Sequence, residues 1–221
     1  MARNHEMPPT LGDYLDRASP ASDALLERLE QQAAAEHVPI IGRHGAALIH
    51  LLARIARPEL IVELGTATGY SAIWLLRGWP EARLITFEVD DLRAAQARQN
   101  LAAAGLAERA EVRVENAIEG LGRLPSASAD VVFNDVLNGL RDERRVELCF
   151  RQAMRVLKPG GLLLADNALG AGEVLRRETS QSRCVHRWNQ LVSEQESLSA
   201  TIVPVGDGLS IAVRRAAFEQ R

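Results

Sequence analysis

The chain has 221 residues, 47% of them hydrophobic and 25% charged, the composition of a globular protein and within the size of one large α/β domain. Two cysteines, Cys149 and Cys184, exclude a disulfide framework or a zinc cluster, and a formal net charge of −3 with interspersed basic residues leaves no footprint for a phosphate backbone. Met1 to Thr10 hold no apolar leader core, and no stretch approaches the roughly 18 uninterrupted apolar residues of a membrane span. The expectation is a cytoplasmic protein that acts on small molecules, with no membrane partner and nucleic acid disfavoured. No repeat or Pro/Gly/Ser-rich linker divides the chain, so a single domain over 1–221 is expected, a helical preface over 1–57 leading into a core over 58–221.

In chain order, Ser19 and Pro20 suit the opening of a first helix whose apolar face is Leu25, Leu26 and Leu29. Leu48, Leu51, Leu52 and Ile55 have the spacing of a second helix that ends before Pro58. Short apolar runs then alternate with helical patterns. The strand candidates are Leu60 to Leu64, Leu84 to Phe87, Val112 to Val114, Val131 to Phe133 and Leu162 to Ala165. Continuous apolar runs suit strands covered on both faces, hence a parallel sheet. Between the last two of these, Val146, Cys149, Phe150, Ala153 and Leu157 form a helical stripe that Lys158-Pro159-Gly160-Gly161 should terminate. Ala200 to Val205 and Leu209 to Val213 flank Gly206-Asp207-Gly208 and read as an antiparallel hairpin finishing the sheet.

The first strand runs into Glu63-Leu64-Gly65-Thr66-Ala67-Thr68-Gly69-Tyr70-Ser71, a glycine-bearing turn that opens a helix, the place where doubly wound sheets take nucleotides. Its spacing is not G-x-G-x-x-G, since Ala67 and Tyr70 hold two of the glycine places, so a dinucleotide oxidoreductase is disfavoured. Glu88 closes the second strand 23 residues after Gly65, near the offset at which an acid meets ribose hydroxyls. The bland alternative makes Glu63 and Glu88 solvated strand-end acids.

Asp135 follows one strand and Asp166-Asn167 another. If those strands are neighbours, about 4.8 Å apart, two carboxylates and an amide oxygen meet. That hard oxygen set suits Mg²⁺, Mn²⁺ or Ca²⁺ and not zinc. Both acids could instead cap the helices that follow them.

In this order these residues resemble the catechol and caffeoyl-CoA O-methyltransferase family, the metal-dependent group of class I methyltransferases, over nearly the whole chain. The matching blocks are Glu63 to Ala72, Phe87-Glu88-Val89-Asp90, Leu157 to Gly161, Asp166 to Gly172 and Pro204 to Leu209. The resemblance implies an α/β, Rossmann-like fold with a mostly parallel seven-stranded sheet, a C-terminal antiparallel hairpin and helices on both faces, and an S-adenosylmethionine-dependent O-methyltransferase. Glu63, Gly65, Tyr70 and Ser71 would meet the methionine part of the cofactor, Glu88 the ribose, and Asn116-Ala117 the adenine. Thr66, Gly69, Val89 and Asp135 would complete the cofactor site. Asp135, Asp166 and Asn167 would bind the divalent metal, with magnesium the first expectation. Val38 to Gly45 would cover the cofactor and shape the acceptor site. A small hydroxylated, catechol-like or phenolic acceptor and a homodimer complete the picture.

One departure bears on mechanism. The family places an acid at position 137 and a lysine, its general base, at 138, whereas this chain has Leu137 and Asn138, and Gly139-Leu140-Arg141 replace an Asn-Tyr pair just beyond. Asp135 and Asn138 therefore stand as the catalytic positions, with Asn138 unable to take a proton. Arg141, Arg144 and Arg145 read as a solvated helix face. Two alternatives stay open: a methyltransferase acting on hydroxylated uridine in transfer RNA, and a cofactor-binding protein impaired in catalysis.

Overall fold

The computed structural model describes residues 23–216 together with Thr10, Tyr14, Leu15 and Ala18. Helix α1 (Ala24–Glu36) begins at Asp23, whose carboxylate accepts from the Leu26 N–H at 3.0 Å and so satisfies one of the donors a helix start leaves open. Pro20, expected in the first turn, lies outside the described residues. Leu26, Leu29 and Ala33 are the buried face.

Helix α2 (Arg43–Ala56) departs from the stripe that its leucines suggest. It buries Gly45, Ala46, Ala47, Ile49 and Ala53, and leaves Leu51 49% and Ile55 78% exposed. The cause is how closely it meets the next helix, α3 (Tyr70–Gly78). A Cβ at Gly78 would stand 2.6 Å from the His50 carbonyl oxygen and 2.8 Å from the Ala53 Cβ. Small side chains admit that approach, so the alanines face the core beside Ile49 while Leu51 and Ile55 turn outward.

Seven strands follow: β1 (Leu60–Leu64), β2 (Arg83–Glu88), β3 (Ala110–Val114), β4 (Ala129–Asn134), β5 (Leu157–Ala165), β6 (Leu198–Val203) and β7 (Leu209–Arg214). They form one sheet in the order β3-β2-β1-β4-β5-β7-β6. β1 to β5 are parallel, and β7 runs antiparallel to both β5 and β6. The remaining helices are α4 (Asp91–Ala103), α5 (Ala117–Arg123), α6 (Glu143–Val156) and α7 (Ser180–Glu194). Successive strand residues face opposite layers. Ile61 packs with Ile49, Ile73 and Leu84 on one side, while Val62 and Leu64 pack with Phe87, Leu121 and Trp188 on the other. Two covered faces account for the continuous apolar runs.

The Lys158 to Gly161 segment does not form a separate stop. α6 ends at Val156, β5 starts at Leu157, and the tetrapeptide lies within the strand, where the register with β4 shifts between Ala129 and Val131. Pro159 has no N–H to give a ladder and Gly160 adopts φ 82°, so the strand passes them as an irregularity and resumes pairing at Leu162. Strand order reverses between β1 and β4, which opens a crevice at the carboxyl ends of β1, β2, β4 and β5. Among the described residues no helix is long and apolar enough to cross a membrane.

Candidate active site

The crevice floor is the turn after β1. The Gly65 and Thr66 N–H groups both donate to the Phe87 carbonyl, at 3.0 and 3.1 Å, which locks the turn onto β2. Gly65 has φ 92°, and a Cβ there would lie 3.0 Å from the Asp135 carbonyl oxygen and 3.0 Å from the Val136 side chain. Conformation and space both demand glycine. Beneath the turn Glu63 is fully buried and accepts from Ser71 Oγ and Thr86 Oγ1, each at 2.6 Å, with Thr66 Oγ1 bonded to Thr86 at 2.6 Å. Burial pushes the Glu63 carboxyl up to about 7; the two hydroxyls oppose the shift and the Glu88 charge adds to it.

Glu88 ends β2 with its carboxylate held by three backbone donors: Ala67 N–H at 2.9 Å, Val89 N–H at 2.8 Å and Asp90 N–H at 3.0 Å. Asn116 caps α5, its Oδ1 accepting from the Ile118 N–H at 3.0 Å. At the ends of β4 and β5, Asp135 and Asp166 come within electrostatic reach of each other. The strands are adjacent, with Asn134 paired to Ala165, so the two following residues share one rim.

A cavity of about 560 Å³ joins these pieces. Its wall carries Gly65, Glu88, Val89, Asn116 and Ala117, together with Asp135, Asn138, Asp166 and Asn167, and Pro39 and Ile40 from the loop between α1 and α2. Five residues singled out from the sequence stand elsewhere. Glu63, Thr66, Gly69, Tyr70 and Ser71 do not line it. Glu63, Thr66 and Ser71 form the hydrogen-bonded layer below the turn. Tyr70 is 1% exposed and donates its hydroxyl to Glu30 of α1 at 2.6 Å, so it ties the helical preface to the core. Arg93, Glu115 and Arg145 also line the cavity. Arg93 lies in the first turn of α4, just past Glu88, and would have followed from setting that helix start beside the crevice. Arg145 lies on α6, whose face toward the cavity no local pattern reveals.

A family profile described as O-methyltransferase matches residues 16–215 of the chain. This chain belongs to the O-methyltransferase family. Among curated relatives of this methyltransferase, a catechol O-methyltransferase of Niastella koreensis is 33% identical over 203 residues, covering 86% of this chain and 90% of the relative. A catechol O-methyltransferase of Mycobacterium tuberculosis is 32% identical over 218 residues, covering 94% and 96%. Among solved structures, the O-methyltransferase from Bacillus cereus in complex with SAH superposes with a TM-score of 0.79 at 28% identity, covering 91% of this chain and 96% of that one. The methyltransferase TomG from Streptomyces achromogenes in complex with SAM gives 0.78 at 27% identity, covering 92% and 95%. The sheet order and its antiparallel finish are those of Rossmann-like methyltransferases.

The donor set at the rim suits a hard divalent cation. Burial, then the charges of Asp166 and Glu63, push the Asp135 carboxyl well above the usual range. Burial pushes Asp166 up to about 6, against the Asn167 N–H and helped by the Asp207 charge. Among the described residues neither carboxylate has a salt-bridge partner. Crowded carboxylates without a compensating charge are relieved by a cation with oxygen preference. Among the described residues no three His, Cys, Asp or Glu side chains converge, so a metal here would need the Asn167 amide as its third protein ligand.

Proposed function

We propose that this methyltransferase moves the methyl group of S-adenosylmethionine to a hydroxyl of a small catechol-like or phenolic acceptor, in the cytoplasm, with a divalent cation, magnesium first, held by Asp135, Asp166 and Asn167. The observation that carries the reading is the single cavity in which a glycine turn and a strand-end acid stand opposite a cluster of oxygen donors. Cofactor-bound relatives of the same fold support its first half.

In this reading Gly65 lets the cofactor approach the backbone. Glu88, fixed by three N–H donors, two on Oε1 and one on Oε2, keeps an acceptor site on Oε2 for a ribose hydroxyl. Asn116 and Ala117 flank the adenine, and Pro39 and Ile40 close the cavity from the preface, which forms one domain with the core. Transfer from a sulfonium is an in-line displacement, so alignment of the acceptor oxygen about 3 Å from the methyl carbon removes several kcal/mol of barrier. A bound divalent cation would supply the positive charge that favours an ionised acceptor. A homodimer is the assembly we propose, in keeping with the apolar Leu51 and Ile55 left exposed on α2; sedimentation velocity reads it directly.

The test is an acceptor screen with S-adenosylmethionine, with and without Mg²⁺, read by product mass. Transfer should require the metal and be lost in Asp166→Ala. Undiminished methylation in excess EDTA would remove the metal from the reading, and no product across catechols would favour a cofactor-binding protein without turnover.

A further inference from the structure

Among the described residues the cavity wall carries no lysine, histidine, tyrosine or cysteine; its titratable groups are Glu88, Arg93, Glu115, Asp135, Arg145 and Asp166. The carboxylates are committed to the cofactor and cation sides of the proposed reading, or lie with Glu115 beside Asn116, and arginine does not accept protons. What stands at the position of the family's base is Asn138, and it is held unusually firmly. Arg141 Nη1 donates to the Asn138 carbonyl at 2.5 Å and to the Leu140 carbonyl at 2.9 Å, and the Gly139 N–H donates to the Val136 carbonyl at 2.9 Å. The side chain is pinned as well: Gln181 Nε2 donates to Asn138 Oδ1 at 3.1 Å, from an element 43 residues further along the chain. Gln181 is itself fixed in the first turn of α7 by a reciprocal cap between Thr179 and Ser182.

The bond from Gln181 turns Oδ1 toward α7, so the Nδ2 donors stand on the side of the amide that Gln181 leaves unengaged. We propose that Gln181 is a positioning residue that turns the Asn138 Nδ2 N–H toward the acceptor oxygen, so that this site stabilises an acceptor already ionised and selects catechol-like acceptors with an acidified hydroxyl. The inference rests on the methyltransferase reading above. The step balances without a protein base. The acceptor O–H proton leaves to water as the acceptor binds, and the oxyanion then attacks the methyl carbon. The C–O bond forms as the C–S bond breaks, and the sulfonium leaves as a neutral thioether. A charge-assisted N–H···O⁻ bond favours the ionised acceptor over the neutral one.

The experiment is a visible-absorbance titration of 4-nitrocatechol, whose phenolate is coloured, bound to the protein with S-adenosylhomocysteine and Mg²⁺. Gln181→Glu offers only acceptors, so Asn138 must reverse and present Oδ1 to the cavity. The bound probe should then ionise about one pH unit higher than in the unaltered protein, the size of one charge-assisted bond. In an Asn138→Ala background the same Gln181→Glu change should move the titration by only a few tenths of a unit, the residual effect of added charge. Gln181→Ala, which frees the amide, should give an intermediate shift and lower kcat more than it raises KM. In the unaltered protein, kcat/KM should fall several-fold for each unit by which a catechol's hydroxyl is less acidic.

Equal shifts in both backgrounds, or no shift in either, overturn the role of Gln181 while leaving methyl transfer in place. Absence of methylated product from every acceptor in the unaltered protein instead defeats the underlying reading. The two failures are separate observations.

Discussion

Gly65 carries two demands at once, a φ of 92° and a wall 3.0 Å away in the Asp135 carbonyl. An alanine there pays the left-handed penalty of about 1–2 kcal/mol and must also push the β1 and β4 loops apart. Gly65→Ala should therefore weaken S-adenosylmethionine binding by roughly tenfold or more by calorimetry, since 1.4 kcal/mol is one decade. Far-ultraviolet circular dichroism should stay unchanged, because the loops lie at the sheet's end and not in its core. Asn138 carries the opposite kind of demand, chemical and not steric. It lines the cavity half-buried, and the amide does not titrate. Asn138→Lys would add a group able to accept the acceptor's proton, so the pH–rate profile of turnover should gain a new limb and reach catechols of ordinary acidity. An unchanged profile would show that residue 138 does not face the reacting oxygen.

At the scale of elements, α3 owes its C-terminus to a residue from another segment. Arg109, in a short turn before β3, donates through Nη1 to the carbonyls of Leu76, Trp79 and Ala82, each at 3.1 Å. Those carbonyls lie at and just past a helix end, where intrahelical donors run out. Arg109→Ala should cost about 2 kcal/mol, the range for a charged donor removed from partly buried acceptors. For a chain of this size that lowers Tm by roughly 4–8 °C, with methyl transfer intact below the transition. A melting curve identical to the parent's would mean that water replaces the guanidinium without loss. The same comparison explains what the sequence reveals. Strand positions are legible because runs such as Val131 to Phe133 need only a two-sided cover, and each observed strand contains or overlaps the run read for it. The outward face of α2 is not legible: Leu51 and Ile55 look like core, and only the approach of Gly78 to Ala53 shows why Ala46, Ile49 and Ala53 are the buried set. Asp135, Asp166 and Asn167 can be grouped because each closes a strand. Gln181 leaves no such mark, since its meaning lies in a contact with Asn138 across 43 positions. Tyr70 misleads for a related reason: its place beside the turn is legible, but the direction of its hydroxyl, toward Glu30, is set by α1.

At the scale of the whole molecule, the carboxyl ends of the central strands gather Glu63, Glu88, Asp135 and Asp166, and the fold bears the cost of that charge. Glu63 is the most separable member, because it lies under the turn and has no place on the cavity wall. Its carboxyl is raised from about 4.5 to about 7, chiefly by burial. A group that binds its proton more tightly when folded stabilises the fold fully below its unfolded pKa, and that contribution is lost as pH rises through the folded value. Stability should thus decline between about pH 4.5 and 7, with Glu63 accounting for up to about 3 kcal/mol at 1.36 kcal/mol per unit. Glu63→Gln removes the titration while keeping an oxygen for Ser71. Its new N–H donors can meet Thr86, because the bond between Thr86 and Thr66 runs in either direction. The variant should match the parent near pH 5 and exceed it in denaturant midpoint at pH 8, with a flatter slope between. Asp135 and Asp166 remain in both proteins, so the difference between the two curves belongs to position 63. Parallel curves across that interval would mean that Glu63 is already ionised in the fold, its charge carried by the two hydroxyls alone.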